Sequence, residues 1–400
     1  MALLDLEVDI SDEERAIRDT VHRFAAEVMR PAGVKLDALA DPQDVIAADS
    51  ILWDVFDKYR ALGVERFMDP GAGLPPAHQA RLRYIVAEEM GWGDAGLAIS
   101  LGVADFPRML AELLGNQDLI EKFGGSESIG CWAITEPDHG SDLLDFAGKA
   151  SPGDKGRPNC IARKDGDFFV VNGQKAAWVS NGTIATTAAL FCAADMGGGE
   201  LGSGVFLMSL DAPGVTRGKP LDKLGQRALN QGEIFFEDVR VPASQMVVAP
   251  EMYALAADMV LCQANGAMGA VFVGLAQAAL EMAVDYARQR VQGGMPILGH
   301  QSVKARLFEM FRKVESARAL NRRVILYNTV NQPPQLHYAI ASKVTSTNTA
   351  FEVASSAVQI FGGNGLSREY PIEKLLRDAR ASMIEDGCND ILSLVGAERL

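Results

Sequence analysis

The sequence predicts an α+β chain in which a helical part, a sheet part and a second helical part follow in that order. Three observations carry the prediction. The first third repeats apolar residues at helical spacing, a middle stretch from residue 129 breaks into short β-rich runs, and three long helical patterns occupy most of the rest. The boundaries read as 1–128 for an N-terminal helical domain, 129–246 for a central β domain and 247–400 for a C-terminal helical bundle domain.

Taken in order, Ser11 and Glu14 form a capping box, and Ile17, Val21, Phe24 and Val28 recur on one helical face until Pro31, which is expected to end the helix. Helical patterns continue over 51–62, 78–91 and 95–114, with breaks at Gly63, at Pro75-Pro76 and around Gly91 to Gly93. The β-rich runs are 129–134, 167–171, 175–180, 186–192, 204–209 and 232–236. Asn172-Gly173 between two of them reads as a hairpin turn. From Tyr253 onward, 259–290, 301–329 and 335–361 are long helices joined at Gly293-Gly294 and Pro333-Pro334, which suggests an antiparallel bundle.

Composition narrows the function. A chain of 400 residues with 48% hydrophobic content can bury more than one core. The net charge of -14 and scattered Lys and Arg argue against nucleic-acid binding, because neutralising phosphates needs clustered cations. The first residues lack a basic segment followed by an apolar one, and no run is expected to reach the length of a membrane span, so a cytoplasmic protein without membrane insertion is expected. Five well-separated cysteines suit reduced thiols, and no two histidines stand at ligand spacing, so no metal site is expected. Gly266 and Gly269 lie inside a helical pattern and read as close helix packing rather than a nicotinamide-binding turn.

The stretch from Gln359 to Leu392 carries the chemistry. An apolar helix ends at Phe361, Gly362, Gly363, Asn364 and Gly365 force a break, and Pro371 opens a short helix bearing Lys374, Arg377, Asp378 and Arg380. Glu385, Asp386 and Gly387 then form a second break, which presents carboxylates on a turn beside a residue that lets backbone approach closely. That placement suits a base. The Q-I-F-G-G-N-G turn and the E-Y-P-I-E-K-L-L-R-D-A run closely resemble the C-terminal signature of the acyl-CoA dehydrogenase family. The resemblance implies an N-terminal helical domain, a central β-barrel or sandwich and a C-terminal four-helix bundle. It also implies FAD as cofactor and Asp386 as the catalytic base. The family's usual residue there is Glu, followed by Gly-Thr, where this chain has Asp386-Gly387-Cys388.

Two further segments extend the likeness. Thr135-Glu136-Pro137-Asp138-His139-Gly140-Ser141-Asp142 gathers hydroxyls and amides on one turn, and it is similar to the family's T-E-P-x-x-G-S-D motif. The resemblance implies that Thr135 bonds the flavin ring and that Ser141 reaches the pyrophosphate or the thioester ligand. Trp178 and Ser180, two residues apart, share a strand face on which an indole packs on an isoalloxazine and a hydroxyl reaches its edge; an extra alanine in Lys175-Ala176-Ala177 departs from the usual spacing. Arg290, Gln301 and Gln359 correspond to family positions that reach the FAD of a neighbouring subunit, so the active unit is expected to be at least a dimer, with a homotetramer expected. Gly363, Cys388 and Asp390 are expected against the cofactor, and Ser141, Asn265 and Gly387 against the substrate.

The mechanism implied is removal of the proton next to a thioester carbonyl while hydride leaves the β carbon for the flavin, with an electron-transfer flavoprotein or similar acceptor completing the cycle. The backbone N–H of Asp386 is expected to help stabilise the enolate. An Asp is one methylene shorter than Glu, which points to an unusual acyl group, with a cyclic or branched one expected. The alternative base position of some family branches corresponds to Ala264 and Asn265, where no carboxylate stands. Glu385 occupies the family's Tyr position; Glu88, Glu89 and Asp94 are candidates for a second base, the first two reading better as ion-pair residues. An oxidase or monooxygenase on the same scaffold, or a catalytically silent assembly partner, are the rival readings.

Overall fold

The computed structural model describes residues 7, 10–64, 73–125, 128–144 and 156–400. The chain opens on α1 (Asp12–Phe24), capped as expected: the Glu14 N–H donates to Ser11 Oγ at 3.1 Å and the Ser11 N–H donates to the Glu14 carboxylate at 2.8 Å. Pro31 does not stop the chain. A π turn over Ala25–Met29 intervenes, so the missing N–H of Pro31 falls in the first turn of α2 (Arg30–Asp37), where no intrahelical acceptor is needed. After α3 (Ile51–Leu62) and α4 (Pro76–Gly93), the single helix expected over 95–114 proves to be two, α5 (Ala95–Ala104) and α6 (Phe106–Leu113). Pro107, lacking an N–H, sits in the first turn of the second. α7 (Gln117–Phe123) leads into the sheet.

The sheet has eight strands among the described residues: β1 (Gly130–Ala133), β2 (Cys160–Asp165), β3 (Phe168–Ser180), β4 (Thr187–Asp195), β5 (Leu201–Ser209), β6 (Val215–Arg217), β7 (Gln231–Pro242) and β8 (Met246–Val248). Their order is β6-β7-β3-β2-β4-β5-β8, with β1 parallel to β4. Asn172-Gly173 is not a hairpin turn. It lies inside β3, where Gly173 has φ +125° and a Cβ would come within 1.9 Å of Asn159 O. The register against β7 shifts there, and the Asn172 side chain instead closes two hydrogen bonds on Asp238. The hairpin falls earlier, through Gly166 (φ +59°), between β3 and β2, a strand the sequence did not reveal.

The C-terminal part comprises α8 (Tyr253–Gln289), a small hairpin of β9 (Val291–Gln292) and β10 (Met295–Pro296) turned by Gly293 and Gly294, then α9 (Gln301–Val330), α10 (Leu336–Phe361), α11 (Ile372–Ser382) and α12 (Asn389–Ala397). Contrary to expectation, one helix is long and apolar enough to cross a membrane: Pro250–Gln289, of which 72% of the most apolar window is buried inside the protein. Its apolar surface is core. That core is continuous from Val21, Phe24 and Tyr84 in the first third to Phe272, Val353 and Ile372 in the last. The central helices touch at backbone distance, since a Cβ on Gly274 would lie 1.9 Å from Glu88 O and one on Gly91 2.0 Å from Val271 O. The close packing expected at Gly269 is likewise present, its Cβ position lying 2.2 Å from Asn321 Nδ2.

Because backbone cannot yield at such a crossing, Gly274→Ala is expected to lower stability by about 3 kcal/mol. Thermal or urea unfolding of the purified variant checks this; a change below about 0.5 kcal/mol would show that α4 and α8 separate freely.

Candidate active site

α10 ends on Gly362 (φ +60°), a short turn follows over Gly362–Leu366, and α11 then delivers the chain to the turn between Met383 and Cys388. Asp386 stands in that turn in the left-handed region, φ +49°, followed by Gly387 at φ +94°. A side chain at 387 would be strained by that φ, and its Cβ would press on Leu144 Cδ1 at 2.6 Å and Leu392 Cδ2 at 2.8 Å, which would have to shift. A left-handed Asp costs about 1 kcal/mol, and the surroundings hold it there. Asn265 of α8 donates to Asp386 O at 3.4 Å; Lys343 of α10 donates from Nζ to Gly387 O at 2.8 Å and Asn389 Oδ1 at 2.9 Å; the Cys388 N–H donates to Ser141 Oγ at 3.0 Å. Among the described residues the Asp386 N–H has no hydrogen-bond partner.

Charge around the turn is dominated by burial. Desolvation raises the Asp386 carboxyl above the usual carboxylate range, and the Lys343 ammonium works against it. Lys343, itself fully buried, is pushed down to about 8 by the same desolvation, opposed by Asp386, Glu385 and Cys388. Glu385 is pushed up to about 7 by burial, with the hydrogen bond from Gln226 Nε2 at 2.9 Å and the charge of Lys223 opposing the rise. Lys223 in turn donates to Leu229 O at 2.6 Å and Gln231 Oε1 at 2.8 Å, and Gln231 Nε2 donates to Trp178 O at 3.1 Å and Ser180 Oγ at 3.2 Å. The turn at Glu385 is thus hydrogen-bonded to the 221–231 connection through Gln226, and that connection reaches strand β3 through Lys223 and Gln231.

On that strand the Trp178 indole is 58% exposed and Ser180 is half-buried. The extra alanine is absorbed by the backbone: Lys175 pairs with Ile234 and Val179 with Gly232, so four residues of β3 span two of β7, leaving Trp178 and Ser180 in their two-residue relation. Thr135, half-buried, accepts the Ala176 N–H through its carbonyl at 2.9 Å. Lys175, which the motif contained without a role, is fully buried and fastens this turn, donating to Ile134 O at 2.9 Å and Glu136 Oε1 at 2.7 Å.

Arg290, Gln359 and Gly363 line a separate cavity of about 820 Å³, together with Tyr286, His300 and Arg306. Gln301 is exposed at the start of α9 and is not among its lining residues. None of Thr135, Ser141, Trp178, Ser180 and Asp386 lines that cavity either. Cys388 is half-buried and Asp390 exposed in the first turn of α12.

The candidate second bases are committed elsewhere. Glu88 pairs with Arg318 at 3.1 Å and Arg322 at 2.9 Å, and Glu89 with His22 at 2.7 Å. Asp94, buried, caps α5 through the Leu97 N–H at 2.9 Å and pairs with Lys374 at 2.6 Å, so it stands as a structural ion rather than a second base. Ala264 is half-buried on α8. Lys343 and Gln226 escaped notice because single polar residues inside a helix and a loop carry no local signal.

FAD fits these groups. An exposed indole beside a strand hydroxyl suits a flat ring, and a cavity of cofactor size with two arginines and amides suits a pyrophosphate and adenosine end. A sheet bearing such a wall, wired to a carboxylate turn on a helical bundle, defines a flavin-dependent dehydrogenase class.

The family models agree. The acyl-CoA dehydrogenase middle domain matches residues 131–239 and the acyl-CoA dehydrogenase C-terminal domain matches 257–400. Rat mitochondrial short-chain specific acyl-CoA dehydrogenase is 31% identical, with 98% of this chain and 91% of that protein covered. Cyclohexane-1-carbonyl-CoA dehydrogenase of Geobacter metallireducens is 28% identical, with 98% of each covered. The solved butyryl-CoA dehydrogenase of Megasphaera elsdenii superposes with a TM-score of 0.83 at 27% identity, covering 99% of each chain. This chain belongs to the acyl-CoA dehydrogenase family and is an FAD-dependent oxidoreductase.

One pH effect follows from Glu385. Its folded pKa lies above the ordinary value of 4.5, so the folded state holds more protons between pH 4.5 and about 7, and stability falls as pH rises across that window. Glu385→Gln is expected to remove this slope and to exceed the wild type in stability by roughly 1 to 2 kcal/mol at pH 7.5. Denaturant midpoints at pH 5 and 7.5 measure it; parallel curves would show that Glu385 is well solvated.

Proposed function

We propose that this protein introduces a double bond between the α and β carbons of an acyl-CoA thioester, with Asp386 as the base and an alicyclic or branched acyl group as substrate. The observation that carries the proposal is Asp386 itself: a carboxylate in a left-handed turn, its carboxyl raised by burial, its backbone N–H free, on a turn wired to the strand of Trp178. The raised pKa makes the carboxylate a stronger base, and the free N–H is a donor for the thioester oxygen, where negative charge develops. Ser141, Asn265 and Gly387 would hold the substrate; Thr135, Trp178 and Ser180 would hold the cofactor ring. The chemistry that bound FAD supplies is acceptance of the β hydride.

Asp386 reaches less far than Glu, so the substrate carbon must come to it. A ring or branch at the α carbon brings bulk toward the turn. The likeness to a cyclohexane-1-carbonyl-CoA dehydrogenase over 98% of the chain supports the same class.

The separation of the Arg290, Gln359 and Gly363 cavity from the base turn supports a cofactor shared between two copies, hence a homo-oligomer of at least two chains. Electrons would then leave to an external acceptor of the electron-transfer flavoprotein type.

Anaerobic titration of the flavin absorbance with linear, branched and alicyclic CoA thioesters tests the proposal. Wild type is expected to bleach fastest with the alicyclic or branched thioesters, and Asp386→Asn to bind them while bleaching about 1000-fold more slowly. Unimpaired bleaching of the variant would reassign the base, and fastest bleaching by a linear thioester would overturn the substrate class.

A further inference from the structure

We propose that Lys343 is a positioning residue for the base: its ammonium group holds the Asp386 turn in place and keeps the Asp386 carboxylate ionised under working conditions. The inference rests on Asp386 as the base and extends that reading to a residue on another element.

Four observations support it. Lys343 lies in the middle of α10 with no exposed surface, where an uncompensated ammonium costs several kcal/mol. Its Nζ donates to Gly387 O at 2.8 Å and Asn389 Oδ1 at 2.9 Å, one on each side of Cys388, whose own N–H is taken by Ser141 Oγ. Both bonds fall within three residues of the left-handed Asp386, so the cation grips the backbone that aims the carboxylate. The groups facing Lys343 are Asp386, Glu385 and Cys388, and no hydrogen-bonded carboxylate partners Lys343 among the described residues. Glu385 is engaged with Gln226 and lies in the field of Lys223, whereas among the described residues Lys343 is the cation that acts on the Asp386 carboxyl.

The Asn389 amide completes the device. Its Nδ2 donates to Thr347 Oγ1 at 3.0 Å and Asn348 Oδ1 at 3.1 Å, so the oxygen that receives Lys343 is locked in orientation by the same helix. A buried charge with two neutral oxygen acceptors, set near a carboxyl that burial raises, acts on that carboxyl in two ways. It fixes the direction of the turn, and it lowers the pH at which the base becomes available.

The test separates these from mere structural support. Lys343→Gln keeps a donor, one bond shorter, but no charge; Lys343→Met removes both; Thr347→Val loosens the Asn389 amide without touching the charge. The three holoenzymes are compared with wild type for the pH dependence of kcat/KM, and the apoproteins by pH-difference infrared spectroscopy, following the carboxyl band that Asp386→Asn abolishes. In both charge-loss variants the acid limb and the infrared titration are expected to move up together by about one pH unit, a roughly tenfold loss of kcat/KM on that limb. Lys343→Met is expected to lose additional kcat at the pH plateau, and Thr347→Val to lose plateau rate or stability with its acid limb unmoved.

An acid limb and infrared midpoint that stay at the wild-type pH in folded Lys343→Gln overturn the inference, as does an equal shift in Thr347→Val. Should the Met variant not fold, the Gln variant decides alone; should neither fold, an Asp386 infrared midpoint in the wild-type apoprotein well above pH 7 overturns it, because a carboxylate supported by that cation cannot remain protonated there. Full activity of Asp386→Asn is a different failure, since it removes the base and not the support.

Discussion

The active part of this molecule depends on a backbone constraint: Asp386 occupies the left-handed region, and the turn that contains it is gripped by side chains from separate elements. Asn265 reaches it from α8, Lys343 from α10 and Ser141 from the loop after β1. No single element could hold such a conformation for a residue with a Cβ, because the local preference runs against it. What secures the turn is tertiary, and at Gly387, φ +94°, a side chain would be strained and would press on Leu144 and Leu392.

A second network secures the same turn from the opposite side. Lys374 of α11 is buried between Asp94, which caps α5, and Asp378, at 2.6 and 2.5 Å. Asp378 accepts the backbone N–H of Gln226, whose side chain donates to Asp378 O at 3.2 Å and to Glu385 beside the base. The first helical part, the sheet's 221–231 connection and the last helices thus meet in one set of buried charges. Such ions contribute little net stability against an apolar core, but any displacement strands a charge, so they enforce registration. The helices can bear this because α4 and α8 cross at glycines and share a single core.

Function follows from the division between the two polymer layers. The sheet offers a flat aromatic wall at Trp178, the bundle offers a carboxylate, and the 221–231 connection touches both, hydrogen-bonded to Glu385 through Gln226 and to β3 through Gln231. The 820 Å³ cavity near Arg290 is lined by neither Trp178 nor Asp386.

Much of this was legible in the residues. Helical spacing located the long helices to within a few residues, except α8, which begins several residues earlier than read, and the motifs around Thr135, Trp178 and Asp386 marked segments that the fold joins through Ser141, Gln231 and Lys223. The failures share one cause. Asn172-Gly173 has the composition of a turn but lies in a bulged strand because β7 pairs along both halves of β3, and Pro31 passes through a helix because a π turn precedes it. Asp94 looked available until Lys374 was found 2.6 Å away, 280 residues along the chain. By itself the sequence determined periodicity, caps and motif spacing, all properties of neighbouring residues, and marked the turn at Asp386 as a candidate. Which buried polar groups meet, and therefore which carboxylate is left to ionise beside a lysine rather than be consumed in an ion pair, only the tertiary structure decided, because those energies arise between residues brought together by packing.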